Sequence, residues 1–383
     1  MLLMVIEFEV IRSNTPSTKI SFTFVRNIVS LKIQDIFLAP VALVFYCITE
    51  IRNWFFDKKY SKSVGFNLPV IGIGNLSMGG TGKSPLVEWL LANFRQEFRM
   101  AVLSRGYGRK TNGFLAVEST LTVKEAGDEP LLFKWKFPEV PVCLSEDRVV
   151  GVPMLLQQYP ETEAIVLDDV FQHRAIKPGL MILTTDYENL FTRDRIFPFG
   201  WLREDKRNYH RADLIVVTKC PSNLSQEERN KIEAEIKPHP YQRIYFASLE
   251  YGNLNPLFPI EIQPEAIAHV LLFTGIANPA PLKSFIESKG VLVFDKKFRD
   301  HHSFDTFDLE SIKEMLAHLP EKTRLVTTEK DAVRLLPHKD WFVANNIPVF
   351  IQPVRHHFLF GDNMLLTNDI RTFIHATIQK NAE

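Results

Sequence analysis

Short, unbroken apolar runs separated by glycines and charged clusters recur along the chain from residue 69 onward. The runs Pro69-Val70-Ile71-Gly72-Ile73-Gly74-Asn75, Met100-Ala101-Val102-Leu103, Ala164-Ile165-Val166-Leu167 and Leu214-Ile215-Val216-Val217 do not alternate with polar residues. That is the pattern of strands covered on both faces of a parallel sheet. Four more runs, at 270–273, 291–294, 325–327 and 349–351, repeat it in the second half. With helical segments between them, the pattern predicts an α/β protein: a P-loop-type, mostly parallel sheet flanked by helices over 63–255, and a second, smaller α/β domain over 267–352. The Pro-rich stretch 256–266 reads as a linker, and 353–383 as a C-terminal segment returning toward the linker or the first domain. A chain of 383 residues is long enough for both cores.

The N-terminal region departs from this pattern. Residues 36–48 are almost wholly apolar, but Glu50 and Arg52 interrupt the run before it reaches the roughly 20 residues of a membrane-spanning helix. Pro40 suits a first helical turn, and Trp54, Phe55 and Phe56 precede the cations Lys58 and Lys59. A helix over 31–62 lying in the headgroup region would use those groups, rings at the interface and ammonium groups on lipid phosphate. The other reading is an amphipathic helix packed in the core. Residues 1–30 form an extension in which Glu7 and Glu9 break the early apolar run, and no signal-peptide cleavage pattern follows.

Charge and cysteine content narrow the classes. Lys and Arg number 45 against 45 Asp and Glu, so there is no basic excess of the kind that marks nucleic-acid binding. Cys47, Cys143 and Cys220 lack metal-ligand spacing and cannot all pair, which suits isolated thiols in a reducing compartment. Nothing calls for an obligate protein partner.

The chemistry gathers where the apolar runs end. After the first comes Leu76-Ser77-Met78-Gly79-Gly80-Thr81-Gly82-Lys83-Ser84, with Pro85 opening a helix. Gly79, Gly80, Thr81 and Gly82 can turn backbone N–H groups toward phosphates, Lys83 adds a mobile cation, and Ser84 offers an oxygen to Mg²⁺. Ser77 stands where the P-loop pattern has its first glycine. The run 164–167 delivers Asp168 and Asp169 to the carboxyl edge of the sheet, where one would hold Mg²⁺ and the other orient a neighbour. Ser104-Arg105-Gly106-Tyr107-Gly108-Arg109 carries two guanidinium groups that could clamp a phosphate or remain solvated. Asp128 and Glu129 sit where a helix cap would fall. Thr218-Lys219-Cys220-Pro221 occupies the place of the guanine-reading Asn-Lys-x-Asp of P-loop GTPases but lacks its aspartate, which favours ATP.

Taken in order, these motifs resemble the tetraacyldisaccharide 4'-kinase family of lipid A biosynthesis over nearly the whole chain. The resemblance is carried by residues 74–85, 104–109 and 127–130, by Asp168-Asp169-Val170-Phe171-Gln172-His173, where Val170 replaces the family's glycine, and by Gly200-Trp201-Leu202-Arg203-Glu204, followed by Asp205 instead of proline. Residues 274–279, Asp300-His301 and 328–332 complete it. The resemblance implies transfer of a phosphoryl group from ATP to the 4'-hydroxyl of a tetraacylated glucosamine disaccharide 1-phosphate, with Mg²⁺, at the cytoplasmic face of the inner membrane and in contact with its lipids. It further implies that Asp128 accepts the sugar hydroxyl proton, that His301 from the smaller domain tunes it, and that Arg203 and Glu204 lie near the nucleotide and metal. An interdomain cleft that closes would bring His301 to Asp128.

Overall fold

Each of the continuous apolar runs becomes a strand, and all but the run at 291–294, whose Leu292 is exposed on a sheet edge, are buried because both faces of the sheet are covered. The computed structural model describes residues 33–259 and 267–382; the expected 1–30 extension and most of the expected linker lie outside the described residues. In chain order the strands are β1 Val70–Asn75, β2 Met100–Ser104, β3 Leu115–Ala116, β4 Val142–Leu144, β5 Ala164–Leu167, β6 Leu180–Asp186, β7 Leu214–Cys220, β8 Arg243–Tyr251, β9 Asn255–Pro256, β10 His269–Thr274, β11 Leu292–Lys297, β12 Arg324–Thr328, β13 Val349–Gln352 and β14 Val354–Phe358.

The first sheet has nine strands in the order β14-β8-β7-β6-β1-β5-β2-β4-β3. Its inner seven are parallel, and β14 and β3 run antiparallel at the edges. Successive residues point to opposite faces. Thus Ile71, Val102 and Val166 pack with Leu86, Leu90, Phe94 and Phe133 of helices Lys83–Phe94 and Asp128–Lys136, and with Leu366, Ile370 and Ile374 of helix Asp362–Ala382. Their neighbours Val70, Ala101 and Ile165 pack with Val152 and Leu155 on the far side.

The second sheet has the order β11-β10-β12-β13-β9, with only β9 antiparallel. Pro256, expected in the linker, instead pairs with Phe350 on an edge strand, where its missing N–H costs no ladder bond. The chain crosses between the sheets twice at one place. Gly252 N–H donates to the Pro353 carbonyl at 3.1 Å and Gln352 Nε2 to the Gly252 carbonyl at 2.5 Å. After the second crossing, β14 pairs with β8 of the first sheet.

Helix Ile33–Asp57 is amphipathic in reverse. Ala42, Thr49 and Asn53 face the protein, while Leu43, Val44, Ile48, Ile51, Trp54 and Phe55 are exposed. Polar bonds dock it: Asn53 Nδ2 to Glu204 Oε2 at 2.8 Å, and Arg174 to the Asn53 carbonyl at 2.9 Å and Asp57 at 2.7 Å. The core-helix reading fails because the apolar residues are on the outside. Among the described residues, no helix is long and apolar enough to cross a membrane.

Candidate active site

β1 lies at the centre of the first sheet, between β5 and β6, so its carboxyl end opens into the crevice where open α/β sheets bind ligands. The glycine-rich loop fills that end. Gly79 and Gly82 take φ of 100° and 78°, left-handed values that favour glycine. A Cβ on Gly79 or Gly80 would meet nothing within 4 Å, so this side of the loop is open. The other side is pinned by neutral bonds: Asn75 Nδ2 to Thr81 Oγ1 at 2.9 Å, Thr81 Oγ1 with Thr184 Oγ1 at 2.8 Å, and Thr218 Oγ1 to the Thr81 carbonyl at 3.0 Å. Helix Lys83–Phe94 follows, and its first N–H groups have no partner within the helix. Ser77 serves in place of glycine because no left-handed turn falls there; it bridges to Leu202, and Met78 N–H donates to the Trp201 carbonyl at 2.6 Å.

Lys83 Nζ is 3.4 Å from Asp169 Oδ1, and Arg203 Nη1 is 3.1 Å from both oxygens of Asp169. Burial would raise the Asp169 carboxyl, but Lys83 and Arg203 outweigh it and hold it below its ordinary value. The backbone turns at Asp169, φ 46°, so Val170 needs no glycine freedom and buries its side chain against Gly72. Asp168 lies deeper. Burial, then Glu129 and Asp169, push it up to about 7. Its Oδ2 accepts from Ser104 Oγ at 3.0 Å, while Oδ1 is buried without a hydrogen-bond partner. An orphaned buried carboxylate oxygen fits a divalent cation, and Mg²⁺ takes one or two carboxylates beside waters and phosphates.

The second half of the site comes from both domains. Asp128 opens helix Asp128–Lys136 behind Gly127 at φ 86° and is buried. Its Oδ2 lies 2.8 Å from His301 Nδ1 and is also bonded by Arg334 Nη2. Arg334 further bonds the Gly275 carbonyl at 2.8 Å and Asp331 at 2.7 Å, and Asp331 accepts from Gly275 N–H at 3.1 Å. Burial opposes charge on Asp128, yet the His301 hydrogen bond and the Arg334 and Lys330 cations hold its carboxyl well below the carboxylate range. The same hydrogen bond, against burial, raises His301. Beside this pair, Glu129 Oε1 accepts from Ser84 Oγ and from Lys330 Nζ, each at 2.5 Å. The loop serine is therefore one residue removed from the acid–histidine pair.

Several expectations change. Glu204, expected near the metal, is fully buried and has both oxygens taken: Oε2 by Asn53, Oε1 by Gln172 at 3.1 Å and Arg211 at 2.7 Å. The Asn53 bond ties it to the N-terminal helix. Thr81 turns its hydroxyl inward, so only its backbone is left for phosphate. Arg109 is spent on Glu146 and the Gly113 carbonyl, which leaves Arg105 as the exposed guanidinium of that loop. Sequence reasoning passed over Glu129, Gln172 and Arg334 as site residues. Gln172 joins Arg203, at 3.2 Å, to the Asn75 carbonyl, at 2.8 Å. Arg334 was signalled by its spacing, since four residues after Lys330 it falls on the same helix face.

A phosphate cradle at the centre of a parallel sheet, facing an acid from a neighbouring helix, assigns the chain to the P-loop-type kinases. Within that class, the chain belongs to the family described as tetraacyldisaccharide-1-P 4'-kinase, LpxK, whose model matches residues 34–373. It is 37% identical over 347 residues to the tetraacyldisaccharide 4'-kinase of Phocaeicola vulgatus, covering 88% of this chain and 94% of that one. With the same enzyme of Bacteroides thetaiotaomicron it shares 41% over 315 residues, 79% of this chain and 83% of that one. A crystal structure of LpxK from Aquifex aeolicus in complex with ATP is similar, with a TM-score of 0.69 and 27% identity, covering 88% of this chain and 98% of that one.

Proposed function

We propose that this chain transfers the γ-phosphate of ATP to the 4'-hydroxyl of a tetraacylated glucosamine disaccharide 1-phosphate, giving lipid IVA. The observation that carries the assignment of roles is the Ser84–Glu129 bond, which ties the end of the phosphate loop to the helix bearing Asp128. The amides of Gly79, Gly80, Gly82 and Lys83 hold the phosphates, and the Lys83 ammonium moves from Asp169 onto them. Ser84 and Asp168 would hold Mg²⁺, with Asp169 orienting Lys83 and Arg203. When bound, that cation neutralises charge on the phosphates. Arg203 is placed to stabilise charge on the transferred group. Asp128 takes the proton of the attacking hydroxyl, with His301 Nδ1–H fixed against its other side. Arg334 keeps this carboxylate ionised in a buried site, at the cost of making it a weak base; closeness to the hydroxyl must supply the remainder.

The outward apolar face of helix Ile33–Asp57 supports a peripheral, monotopic seat on the cytoplasmic face of the inner membrane, where the acylated acceptor resides. Two assays test the reading. With radiolabelled ATP and the disaccharide 1-phosphate, label is expected in a new ester at the 4' position; release of inorganic phosphate alone would refute kinase activity. The chain is expected to sediment with anionic liposomes, and Ile48, Trp54 and Phe55 changed together to serine to stay in the supernatant.

A further inference from the structure

β14 is the last strand of the chain to join the first sheet, and its inward-facing residues lie beneath the phosphate loop. His356 and Phe358 are buried there, while Arg355 and His357, on either side of His356, are exposed. Phe358 sits 4.9 Å, ring centre to ring centre, from Trp89 of the loop helix. His356 Nε2 lies 2.9 Å from the Gly82 carbonyl. A carbonyl can only accept, so Nε2 carries the proton. The fit is close: a Cβ on Gly82 would stand 3.1 Å from His356 Cε1 and 3.2 Å from Thr218 Cβ.

We propose that His356 is a positioning residue for nucleotide binding, holding the Gly82 carbonyl so that the Lys83 amide stays turned into the phosphate cradle. The reason is the geometry of a trans peptide, in which a carbonyl and the N–H that follows it point in opposite directions. Fixing the Gly82 carbonyl on the β14 side therefore aims the Lys83 N–H away from it, toward the open face of the loop. Thr218 does the same one peptide earlier: it binds the Thr81 carbonyl at 3.0 Å and so aims the Gly82 N–H. The Gly82 carbonyl also receives the Leu86 N–H at 3.2 Å, the first bond of the loop helix. That bond fixes the carbonyl along the helix axis, and His356 supplies the lateral constraint. Gly82, at φ 78°, lies outside helical geometry, so the helix constrains its carbonyl through the Leu86 bond and not through its own backbone angles. A residue from the far end of the chain, beyond the whole second sheet, thus completes the cradle.

The inference rests on the kinase reading above. Its test compares the full-length wild type with H356F, which fills the space without a donor, and H356Q, which restores one. Binding of Mg-ATP is followed by calorimetry and transfer by the radiolabel assay. H356F is expected to raise the Kd for Mg-ATP about tenfold, the order of one hydrogen bond. KM for the disaccharide should stay unchanged, and H356Q should recover most of the loss. Equal Mg-ATP affinity in H356F and wild type would overturn the proposal. A measurement on the wild type alone covers the case where H356F does not fold: ¹⁵N spectra of its histidines are expected to show His356 protonated on Nε2, and a bare Nε2 would overturn the proposal too. Wild-type chain that binds no Mg-ATP would instead bring down the kinase reading beneath it.

Discussion

The phosphate loop and the Asp128 pocket lie side by side and are built on opposite plans. The loop is held by neutral bonds from Asn75, Thr184, Thr218 and His356, all within the first sheet. The pocket is held by charge, with Arg334, Lys330 and His301 of the second domain meeting Asp128 and Glu129 of the first. Neutral bonds keep a cradle in shape whether or not an anion is present. Buried ion pairs tolerate removal of neither partner, because the survivor is left charged and desolvated. Damage to the loop should therefore surface as lost affinity, and damage to the pocket as lost turnover or lost stability.

The largest effect is expected at Asp128. Asp128→Asn keeps the shape of the side chain and removes the proton acceptor, so kcat should fall about a thousandfold while Mg-ATP affinity holds. Parallel losses in calorimetry and turnover would erase the distinction between the regions. Arg334→Met leaves two buried carboxylates, Asp128 and Asp331, without their cation. A loss of about 3–5 kcal/mol is expected in urea denaturation, and unchanged stability would show that the second domain is held by other contacts. Lys83→Ala should weaken Mg-ATP binding and rate together, by about a hundredfold in kcat/KM. Its melting temperature should barely move, since among the described residues Lys83 pairs with Asp169 alone, at 3.4 Å.

The smallest effect is one of pH. The Asp128 hydrogen bond lifts His301 above its ordinary 6.5. The stability from that bond is complete below pH 6.5 and fades as pH rises through the folded-state value. Asp128, held below its ordinary 3.8, contributes above that pH and loses its share only in stronger acid. The interface should accordingly loosen from pH 6.5 upward. His301 is 46% exposed, so the change is modest. The gap in melting temperature between wild type and His301→Gln should narrow between pH 6 and pH 9; a constant gap would remove His301 from the charged network.

The two plans also explain what the sequence disclosed. β1, the glycine loop and Asp168-Asp169 are each continuous in the chain, and their order alone pointed to phosphate. β14 is harder to read, because an edge strand such as Val-Arg-His-His-Phe carries polar residues on its open side. The pocket is not local at all: Asp128 and Arg334 are 206 residues apart. No spacing rule joins them, and only the family resemblance paired Asp128 with His301. Glu204, which the resemblance places near the metal, has Arg211 and Asn53 on its oxygens, and no spacing rule joins it to either.

The paired crossings at Gly252 and Pro353 fix how the second domain can travel. Two strands bonded to each other bend as one strip, so any swing turns about a single axis through that strip and carries the domain as a unit. Lys330, Arg334 and His301 then depart from, or return to, the acids together. A swing of this kind would withdraw the three side chains from the acids in one movement, and an acceptor sugar entering from the lipid side would meet either a complete pocket or an open one.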